Sequence, residues 1–250
     1  MSGHSKWSTI KRKKGAADEK RGKIFSRLAK EISLAAKTGG GDPAGNPRLR
    51  AALLAARAEN MPKDNIERAV KKGTGELPGV TYEEMRYEAY GPGGVALIID
   101  IVTDNKNRTV AEIRHLLTRN GGSMAESGAV SWNFEQKGVI AIAKEACSDD
   151  DMLEKAIEAG AEDVDSSGEK HEITTGSTDL YVVAKALDGM GLKADSAELN
   201  MIPKTTVKVE GKPVGTVLRL VEALEEHDDV QNVYGNFDIS DEDMAAAMES

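Results

Sequence analysis

The chain has a single cysteine, Cys147, which excludes an internal disulfide and fits a reducing compartment, with the cytoplasm as the expected location. Aromatic residues make up only 4%, so the cores must be built from Leu, Ile, Val and Ala. No apolar run approaches the ~20 residues that cross a bilayer, so no membrane partner is expected. The early cations Lys11-Arg12-Lys13-Lys14 are not followed by the apolar stretch of a secretory signal. No glycine-rich loop ends in Gly-Lys-Ser or Gly-Lys-Thr, and no nucleophile elbow is present. His4, His115, His171 and His227 lie far apart, without metal-ligand spacing. These absences leave no catalytic residue, no metal site and no cofactor to expect, and so a non-enzymatic protein.

Three local features mimic sites. Cys147 stands just before a helix start, a setting that can depress a thiol pKa, but a small residue at a strand–helix junction explains it better. Asp149-Asp150-Asp151 resembles a cation site, yet equally complements a helix dipole. Gly91-Pro92-Gly93-Gly94 has the composition of a turn between strands.

What is present is charge, 30% of residues, sorted by sign along the chain. Residues 1–75 hold 18 Lys and Arg against 7 Asp and Glu, a net +11, whereas residues 76–250 carry a net -20. The overall -9 conceals this partition. Because fields act locally, a basic head on an acidic body takes up a polyanion with one end only.

The periodicity predicts an α+β chain: an N-terminal three-helix bundle followed by two α/β domains, one of them ferredoxin-like and inserted in the other. Residues 1–22 lack an apolar stripe and read as a basic flexible arm. A bundle over 23–75 follows. Its first helix, Lys23 to Lys37, spaces Ile24, Phe25, Leu28, Ile32 and Ala35 helically. Asn46-Pro47 starts a second, with Leu49, Leu53, Leu54, Ala56 and Ala58 inward, and a third runs from Pro62 to Lys72 and stops at Gly73.

Beyond the linker at 73–79, strands at 82–89 and 95–102 and a helix at 108–120 open the first α/β domain, and Val130, Trp132 and Phe134 alternate as a further strand. Residues 137–206 read β-α-β-β-α-β. That segment has a strand at 139–143, a helix capped by Ser148 carrying Met152, Leu153, Ala156 and Ile157, short strands at 162–165 and 171–175, a helix at 179–187, and a last strand at 192–201. A helix at 213–225 and a strand at 230–237 return to the first sheet, giving a discontinuous domain of 80–136 plus 207–240, with 241–250 as a tail.

The arm and first helix carry the candidate site. Lys6, Lys11, Arg12, Lys13, Lys14, Lys20, Arg21, Lys23, Arg27 and Lys30 are ten cations in thirty residues, suited to a phosphate backbone. Trp7 supplies a ring for stacking on an exposed base, and His4 a further contact. Arg50, Arg57 and Lys63 extend the basic surface. The expected partner is a nucleic acid, either DNA or the RNA of the ribosome and its tRNAs. A protein partner in an acidic cleft between the α/β domains is the alternative from another class. The sequence does not give the oligomeric state.

The chain resembles the YebC family, whose relatives include mitochondrial translational activators. The resemblance rests on Gly3-His4-Ser5-Lys6-Trp7, Lys23-Ile24-Phe25-Ser26-Arg27, Asn60-Met61-Pro62-Lys63-Asp64-Asn65-Ile66, Tyr87-Glu88-Ala89-Tyr90-Gly91-Pro92-Gly93-Gly94, Thr103-Asp104-Asn105-Lys106-Asn107-Arg108-Thr109 and Asn133-Phe134. It implies three domains, a helical bundle and two α/β domains around a cleft, and no catalytic activity. It also implies either DNA-binding transcriptional regulation or action on the ribosome at difficult stretches such as consecutive prolines. In the latter role Lys6, Trp7, Lys11, Arg12, Lys13 and Lys14 are the residues expected on RNA.

Overall fold

The computed structural model describes residues 17–249. The helices α1 (Ala17–Gly39), α2 (Pro47–Ala58) and α3 (Lys63–Gly73) come first. The first helix begins six residues earlier than the periodicity suggests. Ala17, Glu19, Lys20 and Arg21 are good helix formers, so propensity carries the helix through Gly22 without an apolar stripe. Residues 17–22 are therefore helix, not arm.

Asn46 caps α2 by accepting from the Leu49 amide, with Pro47 at the first helical position. Ile32, Ala35 and Ala36 of α1 pack with Leu49, Ala52, Leu53 and Ala56 of α2 and Ala69 of α3. Leu54 and Ala58, expected inward, face solvent, because the buried stripe of α2 runs through 49, 52, 53 and 56. The last residue of α3, Gly73, is a glycine for a steric reason. A Cβ there would lie 2.3 Å from the Ser33 carbonyl oxygen and 2.8 Å from the Ala36 Cβ, so this glycine lets α3 touch α1.

Next come β1 (Glu83–Tyr90), β2 (Ala96–Thr103), α4 (Lys106–Arg119) and β3 (Ser123–Met124). Gly91–Gly94 is the turn between β1 and β2, closed by Gly91 N–H to the Val95 carbonyl at 2.7 Å. Then follow β4 (Phe134–Ala143), α5 (Asp149–Ala159), β5 (Asp163–Asp165), β6 (Lys170–Gly176), α6 (Leu180–Gly189), β7 (Ser196–Pro203) and β8 (Val207–Lys208). The chain ends with α7 (Lys212–Glu225), β9 (Val230–Gly235), β10 (Phe237–Asp238) and α8 (Asp241–Glu249). The expected mixed architecture, helices followed by sheet-containing domains, is thus met.

Among the described residues the first sheet has the order β3-β1-β2-β9, with the nearly all-apolar β2 buried between β1 and β9. A second four-stranded sheet has the order β5-β6-β4-β7 with antiparallel neighbours, the strand arrangement of a ferredoxin-like unit. Ile140, Ile142 and Ile173 of that sheet pack against Met152, Ala156, Leu180, Val183 and Leu187. Leu153 and Ile157 of α5 lie on its exposed flank.

Contacts divide the chain into two compact units. One holds the described residues up to Glu126 together with Gly215–Val233, and the other holds Ser127–Val214 and the chain from Tyr234 on. Residues 130–134 are not a strand throughout. Ser131–Asn133 form one turn of 3-10 helix, held by Asn133 N–H to the Val130 carbonyl and by three hydrogen bonds between the Asn133 side-chain amide and Thr205. That turn breaks the period of two. Val130 and Phe134 are buried, but Trp132 is 67% exposed. The last strand begins at Ser196 rather than Leu192, which is buried in the turn after α6.

Gly73→Ala should lower bundle stability by about 1–3 kcal/mol, because a backbone oxygen cannot step aside as a side chain can. An unchanged urea midpoint for loss of helical signal would show that α1 and α3 are not in this contact.

Candidate nucleic-acid interface

Lys23, Arg27 and Lys30 recur along α1 at helical spacing and share a face. That face meets the turn Glu225-Glu226-His227-Asp228-Asp229, which joins α7 to β9 within the same unit. Lys30 Nζ donates to Asp229 Oδ1 at 2.6 Å and to the Asp228 carbonyl at 2.8 Å, and lies 6.0 Å from the Tyr82 ring centre. Burial lowers the Arg27 pKa, with the charges of Glu225 and Asp228 opposing that shift. Lys23 lines an open cavity of about 650 Å3 together with Tyr82, Arg108, Glu112, Glu226 and Asp228.

Asp229 is the centre of this arrangement and is 3% exposed. Its Oδ2 accepts from Arg108 Nη2 at 2.9 Å, Thr109 Oγ1 at 2.7 Å and Thr103 Oγ1 at 3.0 Å, while Oδ1 accepts from Lys30. Burial alone would raise this carboxyl pKa. The hydrogen bonds from Lys30, Arg108 and Thr109 and the Lys30 charge outweigh it and hold the group well below the usual carboxylate range. His227 Nδ1 accepts the Asp229 N–H at 3.1 Å, which leaves its proton on Nε2, 3.0 Å from Glu112 Oε2.

Glu112, His227 and Asp229 bring three ligand atoms within 4.8 Å of one another. Both Asp229 oxygens already accept from cationic side chains, so a metal ion there would have to approach an ammonium and a guanidinium.

A second bridge comes from Arg48, whose Nε donates to Glu31 at 2.7 Å and whose Nη1 donates to Glu84 at 2.9 Å. The hydrogen bond to Glu31 is the largest cause of its raised pKa. By contrast, Arg50, Arg57, Arg68, Lys71 and Lys72 are exposed on α2 and α3 and, among the described residues, form no ion pair. Lys63 is exposed and 3.5 Å from Glu67.

The sequence-derived site is thus divided. His4, Lys6, Trp7, Lys11, Arg12, Lys13 and Lys14 lie outside the described residues. Lys20 is in the first turns of α1, Arg21 is exposed, and Lys30 is engaged by Asp229. Sequence reasoning missed the 225–229 turn and gave Thr103, Arg108 and Thr109 no role. The signal was the Glu-Glu-His-Asp-Asp run itself, the densest acidic stretch beside a strand start. It also missed Asn105 as the cap of α4, which accepts from the Arg108 amide and so aims Arg108. For Cys147, burial pushes the thiol pKa up rather than down, and Asp149–Asp151 form the first turn of α5.

Asp229→Asn should cost about 3 kcal/mol, since it puts an amide against two cations in a buried site. A depressed folded-state pKa stabilises above the unfolded value of about 4, and that contribution fades as pH falls through the folded value. The stability gap between variant and wild type should therefore be flat above about pH 4 and narrow below it. A gap independent of pH in urea titrations would show that the carboxylate charge is not the cause.

Two family models match the chain: the TACO1/YebC protein N-terminal domain over residues 5–76, and the TACO1/YebC second and third domain over residues 82–237. A protein of Geobacter sp. strain M21 named probable transcriptional regulatory protein is 56% identical over 99% of this chain and 100% of its own. One of the same name from Geobacter sulfurreducens is 57% identical over the same shares. The crystal structure of a conserved hypothetical protein from Aquifex aeolicus superposes with a TM-score of 0.84 at 46% identity, covering 90% of this chain and 93% of that one. The chain belongs to the TACO1/YebC family.

Proposed function

We propose that this protein is a non-enzymatic nucleic-acid-binding regulator of gene expression that grips phosphate with its N-terminal third. The observation that carries the reading is the partition of charge, +11 over residues 1–75 against -20 over the rest. The exposed cations of α2 and α3 add to it, since no described carboxylate competes for Arg50, Arg57, Arg68, Lys71 or Lys72. Relatives of near-identical length that are named probable transcriptional regulatory proteins support a regulatory role.

The chemistry of the grip favours backbone over sequence. Lys and Arg on solvent-facing helix positions contact phosphate and set affinity, whereas base reading needs side chains held rigidly in a groove. Arg50 and Arg57 are seven residues apart on α2, two turns along one flank, with the exposed Leu54 between them. Binding through such a surface is salt-dependent and tolerant of sequence. That property suits RNA or DNA, and a comparison of the two in one titration separates transcriptional from translational targets.

With six to ten phosphates engaged, affinity for a labelled oligonucleotide should fall ~10³–10⁵-fold between 50 and 200 mM salt. Arg50→Ala with Arg57→Ala should flatten the slope of log affinity against log salt by about 2 for duplex DNA, or slightly less for a single strand. A salt-independent affinity would sink the polyanion reading.

A further inference from the structure

The face of α1 that reads as a phosphate grip is already occupied by carboxylates of the same chain. Lys30 pairs with Asp229, the charges of Glu225 and Asp228 act on Arg27, and Lys23 lines one cavity with Glu226 and Asp228, four acidic side chains in five residues. We propose that the turn Glu225–Asp229 is an internal stand-in for phosphate, holding the basic face of α1 until a polyanion competes for it. This rests on the nucleic-acid reading above and assigns a regulatory device to that site.

Three features make the contact releasable. First, Asp229 keeps Thr103, Arg108 and Thr109 as donors when Lys30 leaves, so no buried carboxylate is orphaned. Second, the bundle has a core of its own, from Ile32 to Ala69, and so can move without unfolding. Third, the ties between the bundle and the α/β part of its unit include exchangeable polar bonds: Lys30 to Asp229, Lys37 to the Tyr82 carbonyl at 3.1 Å, and Arg48 to Glu84. Such bonds weaken in a strong external anion field, whereas buried apolar contacts do not.

Glu226 and Asp228 are exposed, and Lys30 bonds the Asp228 main chain rather than its side chain, so neutralising both leaves the fold intact. The contact then weakens while the cations stay. A protein whose binding-competent form is a minor population gains apparent affinity in proportion as that form is released.

The test compares Glu226→Gln/Asp228→Asn with a control of equal charge change, Asp150→Asn/Glu154→Gln, on the exposed side of α5 in the other unit. Fluorescence anisotropy with a labelled single-stranded RNA and a DNA duplex, each of about 20 nucleotides per strand, at about 50 mM salt reads affinity. The turn variant should bind about fivefold tighter than wild type, and the control less than about twofold tighter. Equal gains in both variants, or none in either while wild type binds, overturn the stand-in and leave the nucleic-acid reading in place. If wild type and both variants bind neither probe, both ideas fall together.

Discussion

A carboxylate buried to 3% exposure cannot stay ionised without partners, and Asp229 obtains them from three separate elements: α1, the end of β2, and the start of α4. Its main chain is fixed as well, with the N–H on His227 Nδ1 and the carbonyl accepting from Val102 at 2.9 Å. One residue thus sets where β9 enters the sheet, how α4 leaves β2, and which face of α1 turns inward. The segment Thr103–Thr109 makes sense in these terms. Thr103 and Thr109 supply hydroxyls, Asn105 caps the helix, and Arg108 brings the guanidinium, four roles in seven residues for one anion.

The same constraint sorts the cations of the N-terminal third into two populations. Lys30, Arg27 and Arg48 face carboxylates of the chain, partly desolvated, and act in holding the bundle to the first sheet. Arg50, Arg57, Arg68, Lys71 and Lys72 stand in solvent on the other two helices. Formal charge counts them alike, but only the second population presents an uncompensated field. The charge available to a partner from the described bundle is therefore smaller than the composition suggests, and much of it sits on α2 and α3, with Arg21 and Lys37 exposed on α1.

Much of the fold was legible because it is written locally. The Asn46-Pro47 and Ser148 caps, the nearly all-apolar run of β2 and the β-α-β-β-α-β order all act within a few residues, and each appears where the sequence placed it. The misreadings arose where tertiary contacts overrule a local period. Trp132 looked inward by alternation until the clamp between Asn133 and Thr205, 72 residues apart, turned the chain. Leu54 looked inward by composition, yet α2 buries only a narrow stripe. The site was half legible. Cations advertise themselves in sequence, but the carboxylates that meet them are about 200 residues downstream, and nothing local in Glu225–Asp229 says which helix it will face.

That distance is itself informative. Apolar burial joins elements more firmly than ion pairs do, since each buried large side chain contributes about 1.5–3 kcal/mol and is indifferent to salt. Exposed ion pairs contribute a fraction of that and respond to every ion in the medium. A contact meant only to persist gains nothing from this sensitivity. Along the interface the gradation is clear. Asp229, held also by Thr103, Arg108 and Thr109, anchors the sheet, while Glu226 and Asp228 stand exposed on the cavity that Lys23 lines, with the Asp228 charge acting on Arg27. The buried and the exposed halves of one acidic turn lie within four residues. The buried half fixes where α1 docks, and the exposed half sets how readily another anion takes its place.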